Sequence, residues 1–392
     1  MASAQTRVAV VGGGIGGLAA ALALNRAGCR VTVHEQSARP CEVGVGMHLG
    51  PNGARLLHRL GLGERLRAVA DRPDALQVRA WNTGATLFTQ PMGRSWAARF
   101  GAPHYTVHRA DLHDLLARQL PDGQLRRGRR LTGFRRTGRN GDGPVRLEFA
   151  HGRPEETDIL VGADGVHSVV RRALTGPETT RFSGRGAYRG VLPAEPFDRL
   201  PPGHILVWAG ERARLLCYPV RRGRLLTCVA VVPSPHPPDE SWTAPGDPAA
   251  LEEAFRGWHP DARRLVHALA ANGPRRWALH DREPLARWGT GRITLLGDAA
   301  HPMLPHHGQG ASQALEDAVA LAHHLRHAPG TDPRRALRRY EALRAPHTAR
   351  VLLATRDGGT ERMDPRRPDT ASSPVDDVSW IQSYDISEEL TR

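Results

Sequence analysis

The sequence predicts an α/β fold in which a mainly antiparallel sheet is inserted into a parallel-sheet unit. The first observation is a short apolar, β-branched run at 8–11, followed by glycines and an alanine- and leucine-rich helical pattern that continues to Arg26. The second is that strand and helix patterns follow one another in the same way at 158–174 and 292–325. The third is the stretch 181–274, whose short alternating runs are separated by turn residues, as in an antiparallel sheet.

The glycines after the first strand have the spacing G-x-G-x-x-G. Gly12 is placed to make the tight turn, Gly14 to let the backbone approach a pyrophosphate, and Gly17 to let helix and strand pack closely. The helix N-terminus offers unpaired N–H groups and the positive end of a dipole to that pyrophosphate. A second strand at 31–34 leads to Glu35, whose carboxylate can accept hydrogen bonds from a ribose diol. These features predict a Rossmann-like dinucleotide site, and they do not separate FAD from NAD.

The charge of the chain does not indicate a nucleic-acid partner. The formal net charge is +14, yet all 54 basic residues are arginine and they are scattered through the sequence. An arginine-rich solvated surface accounts for this pattern, and aromatic residues, at 5%, offer few platforms for stacking bases. The 392 residues are enough for two or three domain-sized units.

Cysteine spacing and hydropathy predict a cytoplasmic protein without stable membrane insertion. The four cysteines form neither a C-x-x-C pair nor a metal-ligand cluster, so we expect reduced thiols and no metal site. The apolar N-terminal run contains the three glycines and leads into a second strand, unlike a signal peptide. No apolar run is long enough to span a bilayer.

The stretch 158–174 places an aspartate directly after a strand. The strand leads to Asp164-Gly165, and Ser168 and Arg171 follow at the start of a helix. Two interpretations stay open. Either Asp164 and Ser168 cap that helix, or the loop faces the dinucleotide, with Asp164 and Arg171 holding the loop or a pyridine nucleotide.

A third strand-to-helix stretch carries further polar candidates. The strand at 293–296 ends in Gly297-Asp298, and Gly308-Gln309-Gly310 opens a long helix whose first N–H groups point at whatever lies above them. Asp298 either caps a turn or accepts hydrogen bonds from ligand hydroxyl groups. The three histidines of the intervening loop are packed or surface groups by default, because no carboxylate or cysteine set gives them metal-ligand spacing.

Local patterns predict three further details. We expect Asn52 to be the N-cap of a helix at 54–60, because asparagine is favoured at that position. Residues 91–104 are expected to be irregular, and one polar helix is expected around 249–270.

Taken together, the three stretches resemble the class A flavoprotein aromatic hydroxylases, the para-hydroxybenzoate hydroxylase-like family. GGGIGG with Glu35, the Asp164-Gly165 motif, and Gly297-Asp298 with PMLPHHGQGASQALED occur in the family's order, and the similarity covers roughly residues 7–350. Within the family the sequence looks most similar to salicylate, 6-hydroxynicotinate and 3-hydroxybenzoate hydroxylases.

The resemblance implies a Rossmann-like FAD-binding domain of the GR2 type and a flavin-dependent monooxygenase. FAD is the implied cofactor and NADH or NADPH the transient reductant. The implied reaction hydroxylates a small phenolic or aromatic-acid substrate with O2, through a C4a-hydroperoxyflavin, and the flavin chemistry belongs to the cofactor.

The resemblance also implies which residues hold FAD. Arg109, in HRADL, matches the family arginine that reaches the cofactor. The helix start at 308–310 would stabilise negative charge on reduced flavin, and Asp298 would accept from ribityl hydroxyls. The cofactor-binding candidates are Gly12, Gly14, Ile15, Gly17, Glu35, Arg109, Asp164, Asp298, Pro305, Gly308, Gly310 and Ala311.

The catalytic candidates are His48 and Tyr218. His48 lies at a position where relatives carry a polar residue near the substrate, and a neutral imidazole there can take a phenolic proton. The alternative is a surface histidine. Tyr218 either orients a carboxylate or phenol from the sheet or simply packs. Arg214 or Arg189 is a candidate for binding a substrate carboxylate.

The predicted division is a discontinuous FAD-binding domain and a substrate-binding sheet domain. The first comprises 1–74, 104–180 and 275–356, and the second comprises 75–103 and 181–274. The tail 357–392 is expected to be partly mobile, and within it SWIQSYD either docks through Trp380 and Tyr384 or is disordered.

Three alternatives accompany this interpretation. Flavin-dependent halogenases share the first motif but use a lysine, and this chain has none. An epoxidase or reductase of the same superfamily remains open, as does a dinucleotide-binding sensor without turnover. A monomer and a homodimer are both compatible with the sequence.

Overall fold

The computed structural model describes residues 5–39, 45–138, 143–235, 244–327, 332–356 and 379–391. The strands are β1 (Arg7–Val11), β2 (Arg30–Glu35), β3 (Gly46–Leu49), β4 (Ala70–Asp71), β5 (Ala75–Ala80), β6 (Thr86–Pro91), β7 (Tyr105–His108), β8 (Leu125–Arg127), β9 (Leu131–Arg136), β10 (Val145–Phe149), β11 (Glu155–Thr157), β12 (Ile159–Gly162), β13 (Arg181–Pro193), β14 (His204–Ala209), β15 (Arg214–Val220), β16 (Leu225–Pro233), β17 (Arg275–Asp281), β18 (Gly289–Thr290) and β19 (Ile293–Leu295).

The helices alternate with these strands in the first and last thirds of the chain. They are α1 (Ile15–Arg26), α2 (Pro51–Arg59), α3 (Gly63–Val69), α4 (Arg94–Phe100), α5 (Arg109–Ala117), α6 (Val169–Thr175), α7 (Pro248–Ala254), α8 (Pro260–Ala271), α9 (Gly310–Arg326), α10 (Pro333–Arg356), α11 (Ser379–Ser383) and α12 (Ile386–Glu389). Short 3₁₀ turns occur at Glu195–Phe197, Gly297–Ala299 and Pro305–His307.

A six-stranded sheet in the order β18-β19-β12-β1-β2-β8 forms the centre of the nucleotide-binding part. All neighbouring strands are parallel except β18 and β19. The central strands are apolar and β-branched because helices cover the sheet, and α1 packs against α9. Parallel strands point the same way, so the loops after β1, β12 and β19 lie at one edge of the sheet.

A seven-stranded sheet in the order β17-β13-β16-β15-β14-β5-β6 lies against this part, and only the pair β14 and β5 is parallel. One of its faces packs on α7 and α8 through a separate apolar cluster that includes Trp208 and Phe255. The predicted boundary at 275 places β17 outside this sheet, whereas β17 pairs with β13 within it. The division into domains stays a prediction.

A small sheet, β3-β7-β4, connects the two larger ones. Its strand β3 lies so close to the seven-stranded sheet that a Cβ on Gly46 would be 2.3 Å from Thr227 Oγ1. The Thr106 hydroxyl of β7 donates a hydrogen bond of 2.7 Å to the backbone oxygen of Pro219. These contacts hold His48, which belongs to β3, against β15.

Three local predictions were wrong. Gly50 is the N-cap of α2, and Asn52 lies inside that helix with a buried side chain whose amide bonds to α9 and the turn before it. Residues 94–100 form α4, because Trp96 and Phe100 bury against the seven-stranded sheet. Two helices, α7 and α8, replace the single predicted one, because the chain turns at Gly257 with a positive φ before Pro260 begins α8.

The C-terminal segment 379–391 packs on the rest of the protein. Ile381 and Ile386 are buried, and α11 and α12 lie against α2 and α9. The Tyr384 ring stacks on His347 at 3.7 Å, and the Arg350 guanidinium lies 3.8 Å from the Trp380 ring. The predicted mobility of the tail at 357–378 concerns residues outside the described ranges.

Candidate active site

A cavity of about 430 Å³ lies between the loops at the edge of the parallel sheet and one face of the seven-stranded sheet. Ten of the predicted site residues line it: Gly14, Ile15, His48, Arg109, Tyr218, Asp298, Pro305, Gly308, Gly310 and Ala311. The other four, which are Gly12, Gly17, Glu35 and Asp164, do not line it. The fold therefore gathers residues separated by almost 300 positions around one space.

The turn after β1 requires glycine for two different reasons. Gly12 has a φ of +106°, and a Cβ there would lie 2.2 Å from the backbone oxygen of Ala163. A Cβ on Gly17 would lie 2.0 Å from the backbone oxygen of Gly12. At Gly14, by contrast, a Cβ would have nothing within 4 Å. The backbone at Gly14 is thus open to the cavity, while the turn that presents it is tightly packed.

Glu35 and Asp164 hold the loops of this edge through backbone N–H groups. Glu35 accepts hydrogen bonds of 2.7 Å from the N–H groups of Gly13 and Ser37. Asp164 accepts from the Ser168 hydroxyl and from two N–H groups at the start of α6. The Asp164 side chain therefore caps α6, and a direct contact of either carboxylate with FAD stays a prediction.

Arg171 joins two loops that reach the cavity. Its guanidinium donates to the backbone oxygens of Ala299 and Ala300 and forms an ion pair with Glu178 at 2.7 Å. This arginine therefore ties α6 to the turn that carries Asp298. Asp298 and Arg109 both expose their side chains to the cavity.

A buried polar network supports the start of α9 from behind. Arg344 is fully buried and forms ion pairs of 2.7 Å with both Glu316 and Asp317. The Asn52 amide donates to Glu316 and to Gln309, which itself lines the cavity. Burial raises the pKa of Glu316 to about 7 despite Arg344. The network fixes the position of α9 and links it to α2 and α10.

The same network accounts for the burial of His301. His301 is 2% exposed, and its Nε2 lies 2.6 Å from a carboxylate oxygen of Asp317. Burial alone would raise the pKa of Asp317, but His301 and Arg344 lower it to about 2. Asp317 also accepts from the Gly297 N–H. His301 is therefore a packed residue of the network, and the described residues contain no cluster suited to a metal ion.

His48 lines the cavity. Its ring lies 4.4 Å from that of Tyr218, and a Cβ on Gly308 would lie 2.8 Å from the Cβ of His48. Its Nδ1 is 3.1 Å from Nε2 of His104. Burial lowers the pKa of His48 to about 4, so the imidazole is neutral near pH 7. The interpretation of His48 as a surface group is wrong.

Tyr218 reaches the same space from β15. The residue is 2% exposed and belongs to the apolar cluster that contains Trp96 and Phe100. Burial raises the pKa of its phenol well above the ordinary value, so the hydroxyl stays protonated. Tyr218 thus both packs and lines the cavity next to His48.

Arginines and aromatic groups complete the wall formed by the seven-stranded sheet. Arg214 donates a hydrogen bond to Nδ1 of His306, and burial together with Arg214 lowers the pKa of His306 to about 2. Arg189 lies over the Trp277 ring at 4.2 Å. Sequence reasoning missed Trp277, which also lines the cavity, although the alternating pattern of 275–281 was a signal for a strand.

The residues present fit FAD. The backbone at Gly14 is open where a pyrophosphate would approach, next to the N-terminus of α1. The cation of Arg109 and the carboxylate of Asp298 line the cavity. Helix α9 begins at the cavity, with Gly310 and Ala311 in its wall. FAD supplies the redox chemistry and oxygen activation when it is bound.

The fold and the site define a flavoprotein, and comparison with known proteins identifies its class. The chain belongs to the FAD binding domain family, whose model matches residues 5–355. It is 42% identical over 98% of its length to 3-amino-4-hydroxybenzoate 2-monooxygenase of Streptomyces platensis, covering 97% of that protein. It is 36% identical to 6-hydroxynicotinate 3-monooxygenase of Bordetella bronchiseptica, over 97% of this chain and 96% of the relative.

A solved structure of a salicylate hydroxylase substrate complex has the same fold. The TM-score is 0.81 at 28% identity, over 99% of this chain and 97% of that one. The resemblance to the class A flavoprotein aromatic hydroxylases is confirmed. The protein is an FAD-dependent aromatic monooxygenase that uses NAD(P)H and O2, and the epoxidase, reductase and sensor alternatives fall away. No helix in the described ranges has both the length and the apolar character needed to cross a membrane.

Proposed function

We propose that the substrate is a small hydroxylated aromatic carboxylic acid, bound with its ring hydroxyl beside His48 and Tyr218 and its carboxylate beside Arg214. One observation carries this proposal. All three residues line the same cavity as Gly14 and Asp298, which are predicted to contact FAD. A small ring in this cavity would therefore contact the polar groups and face the cofactor together.

The apolar residues of the cavity support an aromatic ring. Leu216, Val229 and Val231 present side chains from adjacent strands, and Trp277 and Leu279 extend the same wall. A flat apolar slot with a few polar groups at its ends favours planar ligands with polar substituents. The named substrates of both relatives, 3-amino-4-hydroxybenzoate and 6-hydroxynicotinate, have this form.

The charge of the cavity supports an anionic substrate. Among the described lining residues the acidic and arginine side chains are Asp298, Arg109, Arg189 and Arg214, a net positive set. Asp298 and Arg109 lie on the FAD side. Arg189 and Arg214 lie on the sheet side, where a carboxylate would be stabilised.

The chain's own contribution to the reaction is to position the ring and exclude water. His48, neutral near pH 7, and Tyr218, protonated, would hold the ring oxygen between them. A neutral imidazole at His48 is also placed to take the phenolic proton. Fixing the ring in this slot converts a bimolecular encounter into an oriented one, which accounts for a large part of catalysis.

The proposal extends to the site residues, the location in the cell and the oligomeric state. The twelve cofactor-binding candidates and the catalytic pair stay predictions. A cytoplasmic location is supported by the free thiols of Cys217 and Cys228, whose Sγ atoms are 3.7 Å apart. A monomer or homodimer is expected, and light scattering of the FAD-bound protein would distinguish them.

The test is NADH and NADPH oxidation by the FAD-bound protein against a panel of aromatic acids. The panel contains 3-amino-4-hydroxybenzoate, 4-hydroxybenzoate, 3-hydroxybenzoate, salicylate and 6-hydroxynicotinate, each paired with its carboxamide. We expect at least one acid to accelerate oxidation and gain one oxygen atom by mass spectrometry, and its amide to be much poorer. Turnover of neutral phenols with no response to any acid would overturn the substrate class. Oxidation that yields only peroxide would identify an effector rather than a substrate.

A further inference from the structure

His104 lies behind His48, on the side away from the cavity. It precedes β7, is 7% exposed, and does not line the cavity. Its Nε2 is 3.1 Å from Nδ1 of His48, and the two rings meet edge to face at 5.4 Å. Burial lowers the pKa of His104 well below the ordinary value, and His48 lowers it further. Both imidazoles are therefore neutral near pH 7, and one proton lies between them.

The other nitrogen of His104 decides which ring donates that proton. Nδ1 of His104 is buried and has no hydrogen-bond partner among the described residues. If His104 accepted from His48, its own proton would sit on Nδ1 as a buried N–H without an acceptor. If His104 donates from Nε2, only a lone pair is left on Nδ1. Orphaned buried N–H groups are the rarer case in proteins, so His104 is the donor.

The tautomer of His48 follows from this. Since Nδ1 of His48 accepts the hydrogen bond, its proton lies on Nε2, the nitrogen left available to a bound molecule. The imidazole packs against the Tyr218 ring, and the Gly308 backbone lies beside the His48 side chain, so these contacts oppose exchange of the two nitrogens by a flip of the ring. A donor N–H, rather than a lone pair, is therefore presented to the cavity.

We propose that His104 is a positioning residue that fixes His48 as a hydrogen-bond donor to the ring oxygen of the substrate. The inference rests on the proposed function for the identity of that oxygen. In this assignment His48 is a hydrogen-bond donor and not a base. The phenolic proton is released to water as the phenolate binds. The Nε2–H of His48 then stabilises the negative oxygen of the phenolate. Binding the ionised form enriches the ring in electrons, as electrophilic hydroxylation requires.

The tautomers are read directly by nitrogen NMR. In the FAD-bound protein labelled with ¹⁵N-histidine, the Nδ1 and Nε2 shifts of each ring report which nitrogen carries the proton. His48→Asn and His104→Gln assign the two rings by loss of their signals. We expect the proton of His48 on Nε2 and that of His104 on Nε2. A proton on Nδ1 of His48 would overturn the proposal, with no reference to substrate or turnover.

Three substitutions at 104 test the consequence for ligand binding. His104→Gln keeps a donor at about the position of Nε2, His104→Leu removes it, and an ionised carboxylate in His104→Glu forces the opposite tautomer of His48. The probe is 4-hydroxy-3-nitrobenzoate, whose phenolate absorbs visible light. Wild type and His104→Gln should lower the pKa of the bound probe. His104→Leu and His104→Glu should weaken phenolate binding about 10-fold, the loss expected for one hydrogen bond to a charged group.

Steady-state kinetics of the His104 variants distinguish a hydrogen-bond donor from a base at His48. For a substrate found in the panel, His104→Leu should raise KM more than it lowers kcat, and His104→Gln should restore the wild-type ratio. Full activity in His104→Glu together with loss in His104→Gln would show that His48 is a base and refute the assignment. His151→Leu, at an exposed histidine, is the matched control. If no aromatic acid is turned over, the proposed function fails, while the nitrogen shifts still decide the tautomer.

Discussion

Arg214 is a charged residue of the cavity wall, and His306 is its hydrogen-bond partner. The arginine donates a hydrogen bond to His306, and the low pKa of His306 keeps this histidine neutral. Arg214 is therefore the only positive charge of this pair. A carboxylate placed there would gain a charge-assisted hydrogen bond in a partly buried setting. We expect Arg214→Gln to raise KM for the aromatic acid about 10- to 100-fold and to leave the rate with its carboxamide nearly unchanged.

The control for this substitution is Arg212→Gln, two residues away and exposed. It removes the same charge from the segment just before β15, at a residue that does not line the cavity. Steady-state kinetics with acid and amide should show no selectivity change in the control. An equal loss for both substrates in Arg214→Gln would mean that the arginine supports the fold rather than the carboxylate.

Single residues show where sequence reasoning ends. The glycines of the first turn were recognised by their spacing, which is a local property of the sequence. Asn52 was assigned to a helix cap by the same kind of rule and instead joins α2 to Glu316 and Gln309, more than 250 positions away. A side chain's partner at that distance has no signature in the local sequence.

At the scale of elements, the β1–α1 turn is the most constrained. We expect Gly12→Ala to abolish FAD retention, because the new Cβ meets the Ala163 oxygen at 2.2 Å in addition to the cost of a φ of +106°. Gly28→Ala is the matched control, with a φ of +88° and nothing within 4 Å. The control should cost only about 1–2 kcal/mol of stability and keep its FAD. Flavin absorbance after gel filtration measures FAD retention, and thermal unfolding measures stability. Equal FAD retention and equal stability in the two variants would contradict the close packing of this turn.

The C-terminal segment is a second element with a testable role. Ile381 is fully buried, and Asp385 receives two hydrogen bonds from Arg59 at 2.6 and 2.7 Å. We expect Ile381→Ala to cost about 2–5 kcal/mol locally and to release the segment. Hydrogen exchange of 379–391 should accelerate in this variant and stay slow in Ser383→Ala, which changes an exposed side chain. Unchanged protection in Ile381→Ala would show that the ion pairs alone hold the segment.

On the scale of the whole molecule, buried neutral histidines set the response to acid. Burial lowers the pKa of His34 and of His48 from 6.5 to about 4, and Glu155, 3.9 Å from His34, offsets part of the effect there. Between those pH values the unfolded chain binds protons that the folded protein does not. The stability that depends on these histidines is therefore complete above about pH 6.5 and decreases as the pH falls toward about 4, while Glu316, whose pKa burial raises to about 7, contributes in the opposite direction.

Thermal unfolding at about pH 7.5 and about pH 5, with FAD in constant excess, measures this decrease. His34→Leu removes one of the groups and should show a smaller difference between the two conditions. A midpoint that is unchanged or higher at the lower pH would contradict the assignment of neutral buried histidines.

Local sequence patterns predicted the α/β class, the order of the three strand-to-helix motifs and a dinucleotide site at the first of them. Those features depend on periodicity and on glycine and acidic residues at fixed spacing, which are local properties of the chain. The resemblance to aromatic hydroxylases rested on the same local motifs, in their order.

Which histidines contact one another or line the cavity depends on long-range packing that the local sequence does not reveal. His48, His104 and Tyr218 belong to three different strands or loops, and their contact arises because β3 is held between two sheets. The proton position on His48 depends on an unpaired nitrogen of a residue 56 positions away. Long-range packing and burial set these properties, and neither is encoded in a short stretch of sequence.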